Sequence, residues 1–265
     1  MTLNSKKIKI KTTHYTELAD AQWAHVVSFL PTERKRKSDL RNILNAILKI
    51  VRTGTQWRNM DSKYGKWEIV YYYFRQWTKL GLITLIMNEL VKLIRVFNGR
   101  SAMPTRGAID SQSVKIAPLI AADKGIDGNK KINGRKRHII VDSLGYPIAI
   151  FVSAANLNDG KVGFELLWRI DKMEDNQITQ ILADAAYKGE FVTYAKYYKI
   201  DVDITQKPET TIGFVPQKGR WQVERSFAWL AFYRRLAKDY EKTVESSVSF
   251  IQIAFIAIIL AKLQN

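Results

Sequence analysis

The stretch ITQILADAAYKGEFVTYAKYYKIDVDIT, residues 178–205, holds a short apolar run, an acid, a helical pattern and a second short run. Residues 178–183 read as a buried strand with Asp184 directly after it, 191–199 as a helix, and 200–205 as another strand. Strand, helix and strand in so little chain is how a parallel pair in an α/β sheet is written. Upstream, residues 106–109 lead as a strand into Asp110. Runs over 137–141 and 148–153 flank Asp142-Ser143-Leu144-Gly145-Tyr146-Pro147, a hairpin-like turn. Asp159-Gly160 opens an amphipathic helix that continues to 170, and 219–237 and 244–263 are helical downstream. Three strands, then helix, strand, helix and strand, then helices, make a mixed α/β domain.

Before residue 98 the period is helical throughout. Thr16 is an N-cap candidate for a helix over 17–30 ended by Pro31. Ser38 or Asp39 caps a second helix whose apolar positions Leu40, Ile43, Leu44, Ile47, Leu48 and Val51 fall at three- and four-residue spacing. Thr53-Gly54-Thr55 breaks it, and 67–80 and 82–97 follow as two more helices separated near Gly81. A polar stretch with Gly99 and Pro104 then reads as a linker. The expected organisation is an all-α domain over 1–98, a linker over 99–105 and the α/β domain over 106–265. Short helices joined by Gly-bearing turns amid Lys and Arg suit a helix-turn-helix-like module.

Charge supports that division. The chain of 265 residues carries 42 Lys and Arg against 25 Asp and Glu, a net charge of +17, which points to a polyanion as partner. Residues 1–103 hold 19 basic and 7 acidic side chains, and residues 104–265 hold 23 and 18. The surplus lies mostly on the helical half. With no cysteine, a disulfide framework, a thiolate zinc site and a cysteine nucleophile are all excluded. His14, His25 and His138 are the only histidines, so a bound metal is expected on carboxylates. The basic N-terminus lacks the apolar core of a signal peptide. The apolar run over 250–261 is short of a bilayer span and reads as a buried helix. The expectation is a soluble, intracellular chain with no membrane partner.

Three acids stand out. Asp110 and Asp184 lie where the chain is expected to leave a buried strand, the sheet edge at which α/β sites form. Glu224 lies in GRWQVERSFAWLAFYRRLAKDYE, residues 219–241. At about 100° per residue, Arg220, Ala228, Ala231 and Arg235 all fall within about 40° of Glu224. One helical stripe thus carries an acid, two small residues and two arginines able to grip phosphate oxygens. Three carboxylates holding two divalent ions would suit phosphodiester chemistry. A surface helix with Glu–Arg pairs is the plain alternative. Spacing does not rank Asp142, expected in the hairpin turn, or Asp159, expected as a helix N-cap, firmly below Asp184.

At these residues the sequence resembles a bacterial insertion-sequence transposase with a DDE catalytic core, of insertion-sequence family five in the wider IS4/IS5-like superfamily. AIDSQSVK is similar to its first-aspartate motif, LADAAYKGEF to its second, and residues 219–241 to the long glutamate-bearing third. LADAQWAHVVSFLP, DLRNILNAILKIVRTGTQWRNM and KWEIVYYYFRQWTKLGL resemble the group's N-terminal DNA-binding module. The resemblance covers nearly the whole chain. It implies a ribonuclease-H-like sheet, three antiparallel strands and then two parallel ones, flanked by helices and preceded by the all-α module. It also implies Asp110, Asp184 and Glu224 as the catalytic, metal-binding triad for two Mg2+ ions, with Mn2+ as a substitute. Related transposases carry a tyrosine seven residues before the glutamate, an arginine four before and a lysine seven after. This chain has Gln217, Arg220 and Ala231 there, so Arg235 is the candidate for the missing cation.

The implied activity is metal-dependent hydrolysis at the element's terminal inverted repeats and joining of 3′-hydroxyls to target DNA. Double-stranded DNA would be the partner, with a homodimer pairing the ends, in the bacterial cytoplasm at the nucleoid. Residues 67–80, with Arg75 and Lys79, form the candidate groove reader, while Tyr71, Phe74 and Trp77 read as its core face. Arg34, Lys35, Arg36, Lys37 and Arg41 would hold the backbone. Lys136 and Arg137, in a second basic strip, are candidate DNA contacts near the site, the alternative being a solvated loop and outward strand face. His138 reads as a packing residue. A structure-selective nuclease on the same fold and a catalytically silent DNA-binding regulator are the rival functions.

Overall fold

The computed structural model of the chain describes residues 17–33, 37–205 and 220–263. The candidate cap Thr16, the cations Arg34, Lys35 and Arg36, and Gln217 lie outside them. Four helices come first: α1 (Asp20–Val27), α2 (Leu40–Thr53), α3 (Trp67–Lys79) and α4 (Leu82–Phe97). Asp39 caps α2 by accepting from Arg41 N–H, and Gly54, at φ 74°, ends it in the left-handed conformation that glycine adopts without strain. The first helix starts three residues later than the periodicity predicts. The Gln22 side chain accepts from Ala19 N–H there and fixes its first turn.

The second half holds β1 (Arg106–Lys115), β2 (Gly125–Asp127), β3 (Ile132–Val141), β4 (Pro147–Ala154), α5 (Asp159–Asp171), β5 (Gln180–Ala183), α6 (Glu190–Tyr197), β6 (Asp201–Ile204), α7 (Trp221–Ala231) and α8 (Val244–Lys262). In the sheet, β3 pairs antiparallel with β1 on one edge and with β4 on the other, while β1, β5 and β6 run parallel. This is the ribonuclease-H-like arrangement that a DDE domain implies. It carries one unexpected addition: β2, which pairs antiparallel with the start of β3. Both β1 and β3 are also longer than the apolar runs predict, because their outer halves are mostly polar residues that still pair across the ladder, Gln112 with Arg137 and Ser113 with Lys136. Asp110 therefore lies within a strand rather than at its end.

Alternation along β1 sends Ala108 and Asp110 to one face and Ile109 to the other. The face behind Ile109 is covered by α5 and α6. Helix α5 seats directly on α6 because Gly163 leaves room for it: a Cβ there would lie 2.6 Å from the Phe191 ring. The opposite face is covered by α7 and α8.

The last helix decides how the two halves relate. It is apolar around nearly its whole circumference, with Ser249, Phe250, Ile253, Phe255, Ile256 and Leu260 all buried. A helix of that kind needs cover on every side. It lies between β4 on one side and α2, α3 and α4 on the other, so one core runs from the helical module into the sheet. By length and composition it would also suit a bilayer, yet most of it is buried inside the fold.

A buried ion pair joins the halves as well. Arg95 on α4 bonds Asp142 in the β3–β4 turn. Asp142 also accepts from Leu144 N–H at 2.9 Å and Tyr146 N–H at 2.8 Å, so it is a structural acid. Asp142→Asn leaves Arg95 buried without its counter-charge and is expected to cost about 3 kcal/mol. Urea unfolding checks this, and a midpoint unchanged from the parent chain would refute it.

Candidate active site

Strand β1 presents Asp110 on the α7 side of the sheet. Strand β5 ends at Ala183, and Asp184 follows on the parallel neighbour with its carboxylate accepting from Ala186 N–H at 2.9 Å. That bond opens a short 3-10 turn, Ala185–Tyr187, and fixes the carboxylate at the strand's carboxyl edge. Arg220, immediately before α7, reaches both acids, 3.4 Å from Asp110 and 3.6 Å from Asp184. The two aspartates expected from sequence are thus brought together, and one guanidinium bridges them.

Burial raises the Asp110 carboxyl to about 6. The nearby Asp184 charge adds to the effect, while Ser111 N–H, at 2.7 Å, and Arg220 oppose it. Lys130, in the β2–β3 turn, is close enough to lower it slightly as well. Two acids this close, both partly buried, are costly without positive charge between them. Arg220 supplies part of it in the metal-free chain.

Glu224 is placed differently. It lies on the exposed stripe of α7 one turn beyond Arg220, with Ala228 and Ala231. Among the described residues no three acids or histidines are gathered closely enough to hold a metal ion. Asp110 and Asp184 form a pair, and Glu224 stands outside it.

The predicted stripe also ends sooner than expected. Helix α7 stops at Ala231, and Arg235 falls in a separate 3-10 turn, Arg234–Leu236. Its side chain is buried against Glu241, with Nη2 2.7 Å from the carboxylate. That guanidinium is thus engaged within the fold rather than open to the phosphate contact expected of it. Lys136 and Arg137 are engaged within the fold in the same way. Lys136 donates to Leu157 O and to Asp159, 2.9 Å away, and the almost fully buried Arg137 donates to Leu236 O at 2.7 Å. Their partners lie far along the chain, so a local reading of the basic run could not find them. The helix N-cap expected at Asp159 is Asn158 instead, which accepts from Lys161 N–H.

Other cations keep open faces. Glu68, Tyr72, Arg75 and Lys79 line the exposed side of α3, while Val70, Phe74 and Trp77 face the core and Tyr71 is half-buried. Lys37 is exposed, and Arg41 pairs with Asp20 at 2.6 Å. His138 is buried, bonded to Ser153 and lowered to about 4 by burial, which makes it a neutral packing residue.

Sequence reasoning passed over Tyr187. Its ring stacks edge-on against Phe191 at 5.1 Å, and its hydroxyl is buried under the field of Asp110, Asp159 and Asp184. The signal was its place three residues after Asp184, an aromatic in a short turn otherwise made of alanines.

Comparison with known proteins adds two matched regions. Residues 18–87 match a family model described as "Putative transposase of IS4/5 family", and residues 101–260 match one described as "Transposase DDE domain". A "Putative transposase for insertion sequence element IS402" from Burkholderia cepacia is 29% identical over 126 residues, 45% of this chain and 60% of that protein. One for element IS6501 from Brucella ovis is 28% identical over 125 residues, 45% of this chain and 92% of that protein. The chain therefore matches 60% of the length of the Burkholderia relative and most of the Brucella one.

Proposed function

The chain belongs to the transposase DDE domain family, and from that membership we propose that it is an insertion-sequence transposase of the family-five branch. It binds the terminal inverted repeats of its own element, hydrolyses the element ends and joins the 3′-hydroxyls to target DNA. The observation that carries this reading is the pairing of Asp110 and Asp184 on Arg220 at the carboxyl edge of the sheet.

The donor set consists of oxygens alone, and the crowded, partly buried pair calls for cationic charge. It fits hard divalent ions, two Mg2+ with Mn2+ as substitute. Bound by Asp110, Asp184 and Glu224, they would supply Lewis acidity at the scissile phosphate and lower the pKa of the attacking water or 3′-hydroxyl. The chain's own residues do the positioning. Asp184 is held by its backbone bond and Asp110 by the β1 ladder. Arg220, beside both aspartates, would be placed to grip a phosphate oxygen. Glu224 would be the third ligand, offered from the exposed first turn of α7 one turn beyond Arg220.

The exposed face of α3, with Arg75 and Lys79, enters a groove, and Lys37 holds the backbone beside it. Two copies pair the two ends on the bacterial nucleoid. A duplex carrying the DNA that flanks the reading frame is expected to be nicked at the element end with magnesium and left intact with EDTA. Glu224→Gln should slow nicking by on the order of a hundred-fold or more. Cleavage indifferent to end sequence would make the chain a structure-selective nuclease. Binding with no cleavage would make it a regulator.

A further inference from the structure

We propose that the side of α7 next to the site and the last turn of α8 form a track for a DNA backbone, leading from the helical module to the catalytic aspartates. The inference rests on the chain acting on DNA, and it names a surface that neither the triad nor α3 accounts for.

Trp221, Arg225 and Trp229 stand four residues apart along one side of α7. The Arg225 guanidinium lies 4.2 Å from the Trp221 ring centre and 4.8 Å from that of Trp229. The Lys262 ammonium reaches over from α8, 4.0 Å from the Trp229 ring and 5.4 Å from Tyr146. A cavity of about 330 Å³ continues the line, walled in part by Trp229, Lys262, Tyr233, Arg52 and one acid, Glu17, with Arg52 5.4 Å over the Tyr233 ring. Cations and rings thus alternate from Arg52 at the end of α2 to Arg220, the residue before Trp221.

A purely structural staple explains only part of this. Arg225 donates to Leu144 O at 2.6 Å and so ties α7 to the β3–β4 turn. Among the described residues no such bond engages the Lys262 ammonium, and neither cation has a carboxylate within ion-pair distance. The two like charges are close enough for Arg225 to lower the Lys262 ammonium, beyond what burial does. Indole faces hold each cation in place for on the order of 1 kcal/mol but do not neutralise it. A polyanion does: successive phosphates would satisfy Lys262 and Arg225, with the half-exposed Trp221 directing the strand toward Arg220.

Fluorescence anisotropy with a short labelled duplex of arbitrary sequence, across a series of sodium chloride concentrations in EDTA, tests the track apart from catalysis. Lys262→Met keeps a side chain over Trp229 and removes the charge. The slope of log affinity against log salt is expected to fall by about 0.9, and affinity at 0.1 M salt by about eight-fold. Lys262→Arg should restore both, and thermal melting reports whether the variants remain folded. If Lys262→Met and Lys262→Glu both fold and bind with the parent slope and affinity, the track is wrong, even if the chain cleaves ends. If the slope falls but magnesium supports no cleavage, the track stands and the transposase reading fails.

Discussion

Asp110→Asn is expected to abolish end cleavage and, in the same molecule, to make the metal-free chain more heat-stable above about pH 6. The folded chain holds the Asp110 proton to about 6 against an ordinary value of 3.8, chiefly because the carboxylate is desolvated. A carboxyl raised in this way binds its proton more tightly folded than unfolded, so stability falls as pH rises between the two values. Below about pH 4 the acid is neutral in both states and costs nothing. Above about pH 6 the full penalty is present, roughly two pKa units or about 3 kcal/mol. Asparagine never ionises, so the variant escapes it. In a chain of this length that is on the order of 5–10 °C in melting temperature.

Melting parent and variant in EDTA at pH 4 and at pH 8 checks this. The two should coincide at the lower pH and separate at the higher. Magnesium should then raise the parent curve alone, since it binds the folded site and lacks its anchor in the variant. Equal stabilisation at both pH values would mean the gain comes from packing rather than from an unpaired charge. Undiminished cleavage would remove Asp110 from the chemistry.

How much of this was legible beforehand depended on whether the determining contacts were local. Residues 178–205 gave their strand, helix and strand within one or two residues, because alternation, helical period and turn chemistry all act over a few positions. The position of Asp184 was legible by the same signal, an acid directly after an apolar strand. Asp110 was found for a reason that proved only half right: β1 runs five residues past it, held by β3 across a ladder no local pattern announces. The placement of Glu224 could not be read either. Helical period gives the stripe of α7 but not how far that stripe stands from the sheet.

Basic residues misled in one consistent way. A run of Arg135, Lys136, Arg137 and His138 looks like a surface for DNA, because cations are seldom buried without partners. Here the partners arrive from Asp159 and from the segment after α7, up to about a hundred residues later. The +17 charge is therefore not all available to a polyanion. Part of it is structural, and the exposed share is spread over both halves, with Arg75 and Lys79 on α3, Lys130 and Lys131 in the β2–β3 turn and Lys262 on α8 among it.

Arg135 is the extreme case, and Arg135→Met should be among the most damaging substitutions in the chain, costing about 3–5 kcal/mol. Its side chain is fully buried. Nε donates to Asp123 O at 3.1 Å, Nη2 to Ala122 O at 3.1 Å, and Nη1 to Glu241 O at 2.9 Å and Ser247 Oγ at 3.1 Å. Nη1 also lies 3.3 Å from Asp239, itself bonded by Ser247 Oγ and Glu241 N–H. One guanidinium therefore gathers the loop before β2, the segment after α7 and the first turn of α8 onto β3. Removing it leaves a buried aspartate and three carbonyls without their donor. Arg135→Lys should rescue little, since a single ammonium cannot span acceptors on three segments. In urea unfolding, Arg135→Met and Asp239→Asn should each lower the midpoint, and the double variant should lose clearly less than their sum, because the second change removes a charge the first had stranded. A DNA contact would behave in the opposite way: Arg135→Met would weaken binding while the urea midpoint stayed where it was.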